Sequence, residues 1–372
     1  MTPVYYHKAG FPPREIDWAR LVPLIGPASM ALARYDGLLS AIPNANILLT
    51  PLTAQEAVLS SRIEGTQATL SEVLEFEAGL FPEAENPSKI DDIQEVINYR
   101  NAMTKAQELL ETFPLCQRVI REVHRVLMSG VRGQKCSPGD YKKIKNWIGP
   151  TKCLEADARF VPISPADLPE AISLWEKFVN SDYQDKLVQL AILHAEFEAL
   201  HPFLDGNGRL GRMLIPLFLF KTGLLASPAF YISAYFERDR DGYYNNLLEV
   251  SSHGNWTGWC EYFLRAVTQQ ADENISKTKK ILTLHEQTLH QLPKQTGSSS
   301  AVSAVEFIFH RPIFRTPDFI AKTKINAPTA RRIISIMKDK GLLRMLHKAR
   351  GRSPGIYGFR DLLNIVEGQD IF

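Results

Sequence analysis

Apolar residues recur along most of this chain at helical spacing, and strict apolar–polar alternation is rare, which predicts a mainly α-helical protein. Two helix starts carry the capping-box pattern, Thr53-Ala-Gln-Glu56 and Thr69-Leu-Ser-Glu72, in which each side chain satisfies the other residue's backbone donor. The first predicts a helix over Ala54–Glu64 stopped by Gly65, and the second a helix reaching about Gly79. Ile90–Glu111 and Leu115–Ser129 read as two more helices divided by Pro114, and Pro165–Asn180 and Lys186–Leu200 as a further pair. Lys186–Leu200 is apolar around most of its circumference and is expected at the centre of the body. Arg209–Phe220 is equally apolar, with Pro216 predicting a kink and Gly223 an end.

The pattern changes in two places. Gly130–Pro165 carries Gly, Pro and short alternation at Lys145–Ile148 and Arg159–Ile163, which predicts a surface β-hairpin on the helical body. Trp256–Leu292 reads as a long helical region, and Pro293-Lys-Gln-Thr-Gly-Ser-Ser-Ser300 as a linker. Beyond it come Val302–Phe309, Thr316–Lys322 and Ala327–Gly341, then a basic stretch, Arg344–Arg352, and a strand-like Gly355–Arg360. That order fits a winged helix.

The 372 residues are enough for two or three domains with a sizeable core. The net charge of +2 hides an asymmetry: Ser303–Arg360 holds thirteen Lys/Arg against three acids (Glu306, Asp318, Asp339), an excess of +10, which leaves −8 for the remainder. A basic C-terminal module thus follows an acidic body. Cys116, Cys136, Cys153 and Cys260 show no paired spacing, which predicts buried thiols in a reducing compartment. No run approaches the roughly 18 apolar residues of a membrane span, so a cytoplasmic protein without membrane contact is expected.

The candidate chemistry lies in His201-Pro-Phe-Leu-Asp-Gly-Asn-Gly-Arg-Leu-Gly-Arg212. A glycine-rich turn opening a helix presents successive N–H groups to an anion, reinforced by the helix dipole. Asp205 beside such a nest calls for a divalent cation, Mg²⁺, between carboxylate and phosphates. Arg209 and Arg212, three apart on one helix face, suit a di- or triphosphate, and a neutral His201 at the other lip of the turn suits a general base. Gly206, Gly208 and Gly211 formally satisfy G-x-G-x-x-G, but the preceding segment is helical, which excludes a dinucleotide fold. His124 and His194 fall on apolar helix faces and read as satisfied core histidines.

This run resembles the signature of the Fic family, His-Pro-Phe-x-Asp-Gly-Asn-Gly-Arg-x-x-Arg, and matches it at all nine specified positions. The resemblance takes in Cys116–His253. It implies a Fic-type helical bundle with a β-hairpin flap, and an adenylyltransferase that moves AMP from ATP to Tyr, Ser or Thr hydroxyls of proteins. Carried over, His201 is the catalytic base and Asp205 the Mg²⁺ ligand. Gly206, Asn207, Gly208, Arg209, Leu210, Gly211 and Arg212 bind ATP, with Arg209 on the β-phosphate and Arg212 on the γ-phosphate. Phe203 becomes a core anchor, Asp157, Ala158, Arg159 and Phe160 the flap, and Tyr243 and Tyr244 the adenine pocket. Ser60-Ser-Arg-Ile-Glu64-Gly65 resembles the family's inhibitory motif, which implies that Ser60 and Glu64 form a brake by pairing Glu64 with Arg212.

The expected organisation is an N-terminal helical region over 1–110 with the inhibitory helix at about 54–65, a catalytic domain over 111–255, a connector over 256–300 and a winged helix over 301–372. Expected partners are ATP, an unidentified target protein, and a second copy of the chain. The winged helix has two readings, DNA through Arg331, Arg332, Lys338 and Lys340, or protein. Removal of AMP at the same site and nucleotide-sensing transcriptional regulation stand as rival functions.

Overall fold

The computed structural model describes residues 2–8, 10–42, 45–80, 87–130, 136–150, 153–348 and 354–370. In chain order the elements begin with β1 (Val4–Tyr5), α1 (Trp18–Ser40), α2 (Ala45–Ile63), α3 (Leu70–Glu77), α4 (Pro87–Thr112) and α5 (Gln117–Leu127). They continue with β2 (Phe160–Val161), α6 (Leu168–Val179), α7 (Lys186–Leu200), α8 (Asn207–Lys221), α9 (Ser233–Arg238), α10 (Arg240–His253) and α11 (Trp256–Thr296). Last come α12 (Ala301–His310), β3 (Ile313–Arg315), α13 (Thr316–Thr323), α14 (Ala327–Asp339), β4 (Arg344–His347), β5 (Ile356–Gly358) and α15 (Arg360–Glu367). The fold is mainly helical, and the chain divides into two compact units.

The first unit comprises Met1–Gly37, Leu59–Thr66 and Ile97–Asp272. Its axis is α7, which starts where the Asp185 carboxylate accepts from Leu187 N and Val188 N, both at 2.9 Å, the usual way to satisfy orphan amides. From Leu187 to Leu200 every residue of α7 is buried except Glu198, as its all-round apolar character predicts. Helices α6, α8 and α10 pack on it. Two tryptophans tie neighbours to its backbone: Trp175 Nε1 donates to Leu193 O at 2.8 Å and Trp259 Nε1 to Ala191 O at 2.7 Å. Each indole thereby buries a large ring with its one donor satisfied, and truncating either to Ala would cost about 3–5 kcal/mol.

Helix α1 was not predicted. Leu21, Ala28, Ala31, Leu32, Tyr35 and Leu39 are buried at helical spacing, but Pro23 and Pro27 inside the helix mask the signal. Tyr35 OH donates to Ala229 O at 2.7 Å, and the Arg20 guanidinium meets Glu261 of α11 at 3.0 and 2.7 Å. Among the described residues of the expected hairpin, Ile148 forms an antiparallel bridge with Phe160. Strand β2 also pairs in parallel with β1, Val4 opposite Phe160 and Tyr5 opposite Val161. Two-residue strands leave no periodicity to read.

The second unit comprises Leu38–Val58, Gln67–Val96 and Glu273–Phe372. A three-stranded antiparallel sheet in the order β3-β5-β4 pairs Phe314 and Met345 with Tyr357. Edge-to-face rings from Phe307, Phe314, Phe319, Phe309 and Phe359 fill its core. The capping box at Thr69 and Glu72 forms as read: Thr69 Oγ1 accepts from Glu72 N at 3.3 Å and Glu72 Oε2 from Thr69 N at 3.1 Å.

The one at Thr53 does not. Helix α2 begins at Ala45, and Thr53 lies inside it, its hydroxyl donating to Leu49 O at 3.2 Å. A hydroxyl that can bond one turn back is compatible with a helix interior, so the four-residue pattern alone misplaces the start. Likewise α11 runs through Pro293 to Thr296, so only residues 297–300 remain as the break before α12. Cys260 is buried, whereas Cys116, Cys136 and Cys153 are half-buried. The end of the expected basic wing, 349–352, lies outside the described residues.

Candidate active site

The turn joining α7 to α8 is built by backbone geometry first. His201 caps α7 in the left-handed region, φ 45° and ψ 61°, a conformation that non-glycine residues adopt at a cost and that concentrates at functional sites. Gly206 caps the start of α8 at φ +78°, and a Cβ there would stand 2.7 Å from Met128 Sδ. Conformation and crowding both require glycine. Helix α8 begins at Asn207, two residues earlier than the apolar pattern indicated.

Several of the turn's carbonyls accept hydrogen bonds from distant side chains and backbone. Lys142 Nζ donates to Leu200 O at 3.1 Å, Lys142 N to Pro202 O at 2.9 Å, and Asn146 Nδ2 to Phe203 O at 3.0 Å. Asn207 closes the loop on itself, its Oδ1 accepting from Phe203 N at 2.8 Å and its Nδ2 donating to Phe203 O at 2.9 Å. Gly139 N donates to His124 Nδ1 at 2.9 Å, which leaves Nε2 as the protonated nitrogen that donates to Asp205 O at 2.9 Å. The His124 ring stacks on Phe203 at 3.7 Å, and burial pulls its pKa down to about 4, so the neutral tautomer persists. The amides opening α8, which no preceding turn supplies with carbonyls, define a positive nest. Sequence reading missed the part played by Lys142 and Asn146. They carry no motif, and only the fold brings them to the turn.

Charge gathers around that nest. Arg209 and Arg212 are buried, at 3% and 1% exposure. Asp205 is the accessible member, its side chain 48% exposed and 3.6 Å from Arg209 Nη2. Burial, helped by the Lys142 ammonium and opposed by the Glu64 and Asp205 carboxylates, pushes the His201 imidazole down to about 4. The backbone of Glu198, one turn back in α7, also opposes the shift by bonding the ring. At neutral pH it is an uncharged base. Burial alone also lowers Lys142, to about 7.

Ser60 and Glu64 arrive at the same place from the end of α2. Arg212 Nη2 reaches Glu64 Oε1 at 2.7 Å, Arg212 Nε donates to Ser60 Oγ at 3.0 Å, and Nη2 donates to Ser60 O at 2.7 Å. Arg240 donates to Arg62 O at 3.1 Å and Tyr244 OH to Ile63 O at 3.4 Å. Two guanidinium groups and a phenol therefore satisfy the carbonyls that the last helical turn leaves open. Gly65 follows at φ +99°. The Glu64 carboxylate lies over Gly208, where any side chain would collide with it. Burial favours its neutral form, but Arg212, then Arg209 and His201, outweigh that and hold its pKa below the usual carboxylate range. A protein carboxylate thus occupies the anion nest.

Beside the nest lies a cavity of 410 Å³. Arg159 and Phe160 line it from the flap and Tyr244 from α10. The Arg159 guanidinium spans the two, donating to Asn245 Oδ1 at 2.6 Å and sitting 5.8 Å from the centre of the Tyr244 ring. Asp157, in a single 3₁₀ turn, and buried Ala158 are not among the lining residues. Nor is Tyr243. It belongs to the core, fully buried, with its OH 2.9 Å from His194 Nε2, while His194 Nδ1 faces Gly211 O at 3.1 Å. Adjacent helical positions point about 100° apart, so one tyrosine faces the core and the next the cavity.

The Fic/DOC family N-terminal model matches residues 22–108 and the Fic/DOC family model residues 114–219. The chain belongs to the Fic/DOC family. Among curated proteins it is similar to a protein adenylyltransferase Fic of Drosophila willistoni, 25% identical over 228 residues that cover 58% of this chain and 41% of that protein. It is also similar to the protein of that name in Drosophila yakuba, 25% identical over 200 residues covering 52% and 36%. The match thus spans about two fifths of the length of these curated relatives. Among solved structures, a Fic family protein from Desulfovibrio desulfuricans G20 superposes with a TM-score of 0.60 at 21% identity, covering 94% of this chain and 98% of that one. Fic-1 from C. elegans superposes at 0.53 and 20% identity, covering 70% and 76%. These two establish the fold. No helix among the described residues is long and apolar enough to cross a membrane.

Proposed function

We propose that this protein is an adenylyltransferase that moves AMP from ATP to a hydroxyl of a protein, held in check by its own Glu64. The observation that carries the reading is the convergence of a neutral His201, the α8 N-terminus and two buried arginines on one nest, with a carboxylate already seated in it. An anion site of this kind suits a polyphosphate. In the reaction, His201 takes the proton of the target hydroxyl, the oxygen forms a bond to the α-phosphorus, and the bond from that phosphorus to the bridging oxygen breaks to release pyrophosphate. Amides of Asn207 and Gly208 hold phosphate oxygens. Arg209 and Arg212 take up charge on the leaving diphosphate, the usual source of catalysis in such transfers.

Mg²⁺ fits the donors present. Asp205 offers an accessible carboxylate beside the nest, which would hold the ion together with substrate phosphates. When bound, it neutralises charge on the phosphates. The brake acts by occupancy: Glu64 holds the guanidinium that a γ-phosphate needs. We assign 111–255 as catalytic, 1–110 as the N-terminal region carrying the brake, 256–300 as connector and 301–372 as a winged helix. Helices α12, α13 and α14 together with the β3-β5-β4 sheet support that last assignment. In it Arg331, Arg332, Lys338 and Lys340 are all exposed, Arg332 also donating to Thr296 O at 2.8 Å; a protein partner is preferred because the proposed activity modifies proteins.

The test is intact-mass spectrometry of full-length protein after incubation with ATP and Mg²⁺. Gain of an AMP moiety, lost in His201→Ala, is the expected result; persistence of the adduct in His201→Ala refutes the mechanism. Release of AMP from the modified protein, dependent on Glu64, would instead point to the reverse reaction.

A further inference from the structure

Lys142 has no part in the chemistry proposed above, yet it grips the chain on both sides of the base. Its Nζ donates to Leu200 O at 3.1 Å and its backbone N to Pro202 O at 2.9 Å. The amide ends of the same two peptide groups are held as well, His201 N donating to Phe197 O at 3.1 Å and Phe203 N to Asn207 Oδ1 at 2.8 Å. His201 and Pro202 are therefore suspended between two peptide planes, each fixed at carbonyl and amide. Lys142 supplies the carbonyl contact of both. Between these planes His201 sits at φ 45° and ψ 61°, a left-handed conformation that a non-glycine residue keeps only where its surroundings over-determine it.

The side chain is a destabilising choice for that place. Lys142 is 3% exposed. Burial is the only influence that moves its pKa, so no carboxylate among the described residues offsets its charge. A buried ammonium without a counter-ion is less favourable than an apolar side chain of similar length. Its position is nonetheless well defined. Nζ also donates to Asn146 Oδ1 at 2.8 Å, and Asn146 Nδ2 donates to Phe203 O at 3.0 Å. Two side chains thus hold the turn through one connected network.

We infer that Lys142 acts in the transfer through His201: its Nζ fixes the peptide group from which the base hangs, and so sets where the imidazole meets the target hydroxyl. The inference rests on the adenylyltransferase reading, in which His201 is the base, and adds the residue that places it. Loss of the Nζ contact frees the Leu200 carbonyl and lets His201 relax towards a commoner backbone conformation. The nest itself is formed by the α8 amides with Arg209 and Arg212, so the effect falls on the rate of transfer and not on the binding of ATP.

Self-labelling of full-length protein tests it, with Glu64→Gly as the parent and the initial rate followed against ATP concentration. Adding Lys142→Met, unbranched and of similar length, should lower the maximal rate at least about tenfold and leave the half-saturating ATP concentration within about twofold, because a small misplacement of a reacting group is felt in the rate. Lys142→Arg, which keeps a charged donor, should recover most of the lost rate. A non-hydrolysable ATP analogue, titrated calorimetrically, should bind the parent and the Met variant alike. If the Met variant shows no cooperative melt, Asn146→Leu, which removes the oxygen that orients Nζ, takes its place and should show the same split. A folded variant that labels as fast as the parent, a loss that lies wholly in the half-saturating ATP concentration, or a folded Arg variant as slow as the Met variant overturns the role of Lys142 and leaves adenylyl transfer standing. Labelling of the parent that survives His201→Ala overturns both.

Discussion

Replacing Glu64 by glycine should release the enzyme. The substitution removes a carboxylate 2.7 Å from Arg212 Nη2 and leaves Ser60 Oγ and Ser60 O as the remaining partners of that guanidinium. A charge-assisted hydrogen bond contributes roughly 1.5–3 kcal/mol. Because 34% of the Glu64 side chain stays accessible while Arg212 keeps 1%, solvent screening places this pair near the lower end, about 1.5–2 kcal/mol. A polyphosphate that must displace Glu64 forfeits that amount, so its removal should raise productive ATP binding about ten- to thirtyfold. The assay is the initial rate of self-labelling with ATP carrying label at the α-phosphate, at ATP concentrations below saturation. Glu64→Gln, which keeps the shape and discards the charge, should fall between wild type and Glu64→Gly. A Glu64→Gly protein that binds Mg²⁺-ATP and melts normally yet labels no faster than wild type would refute the occupancy account.

Other outcomes follow from the same contacts. His201 is held near 4, so it stays deprotonated as pH falls from 7 to 5, and the acid limb of the kcat/KM profile should lie well below the 6.5 of an ordinary imidazole; a limb near 6.5 would contradict its burial. His124→Ala strips partners from Asp205 O and Gly139 N and removes a stacked ring. Unmatched buried groups cost about 1–3 kcal/mol each, so the melting temperature should drop and labelling should fall at least tenfold in a Glu64→Gly background. Arg212→Ala should abolish labelling in that background if the same guanidinium that meets Glu64 binds phosphate, and a fully active double variant would exclude its part in binding phosphate. Asp205→Asn should raise the Mg²⁺ concentration needed for half-maximal labelling.

The sequence alone determined what local rules encode. Apolar periodicity placed α7 at Lys186–Leu200 to the residue, because a helix is written in neighbours three and four apart and capped by the residue before it. The twelve-residue run from His201 to Arg212 was legible as the junction of two helices, since a turn between two helices is local. The spacing of Ser60, Glu64 and Gly65 was legible for the same reason. Tertiary structure decided the rest. It brought His124, Lys142 and Asn146, 57 to 81 positions away along the chain, to the turn's carbonyls, and it paired β2 with β1 from the far N-terminus. It also put Tyr243 in the core and Tyr244 on the cavity. None of these leaves a trace in neighbouring residues, because a hydrogen bond between distant segments depends on which elements the packing brings together, and many sequences around each partner would serve.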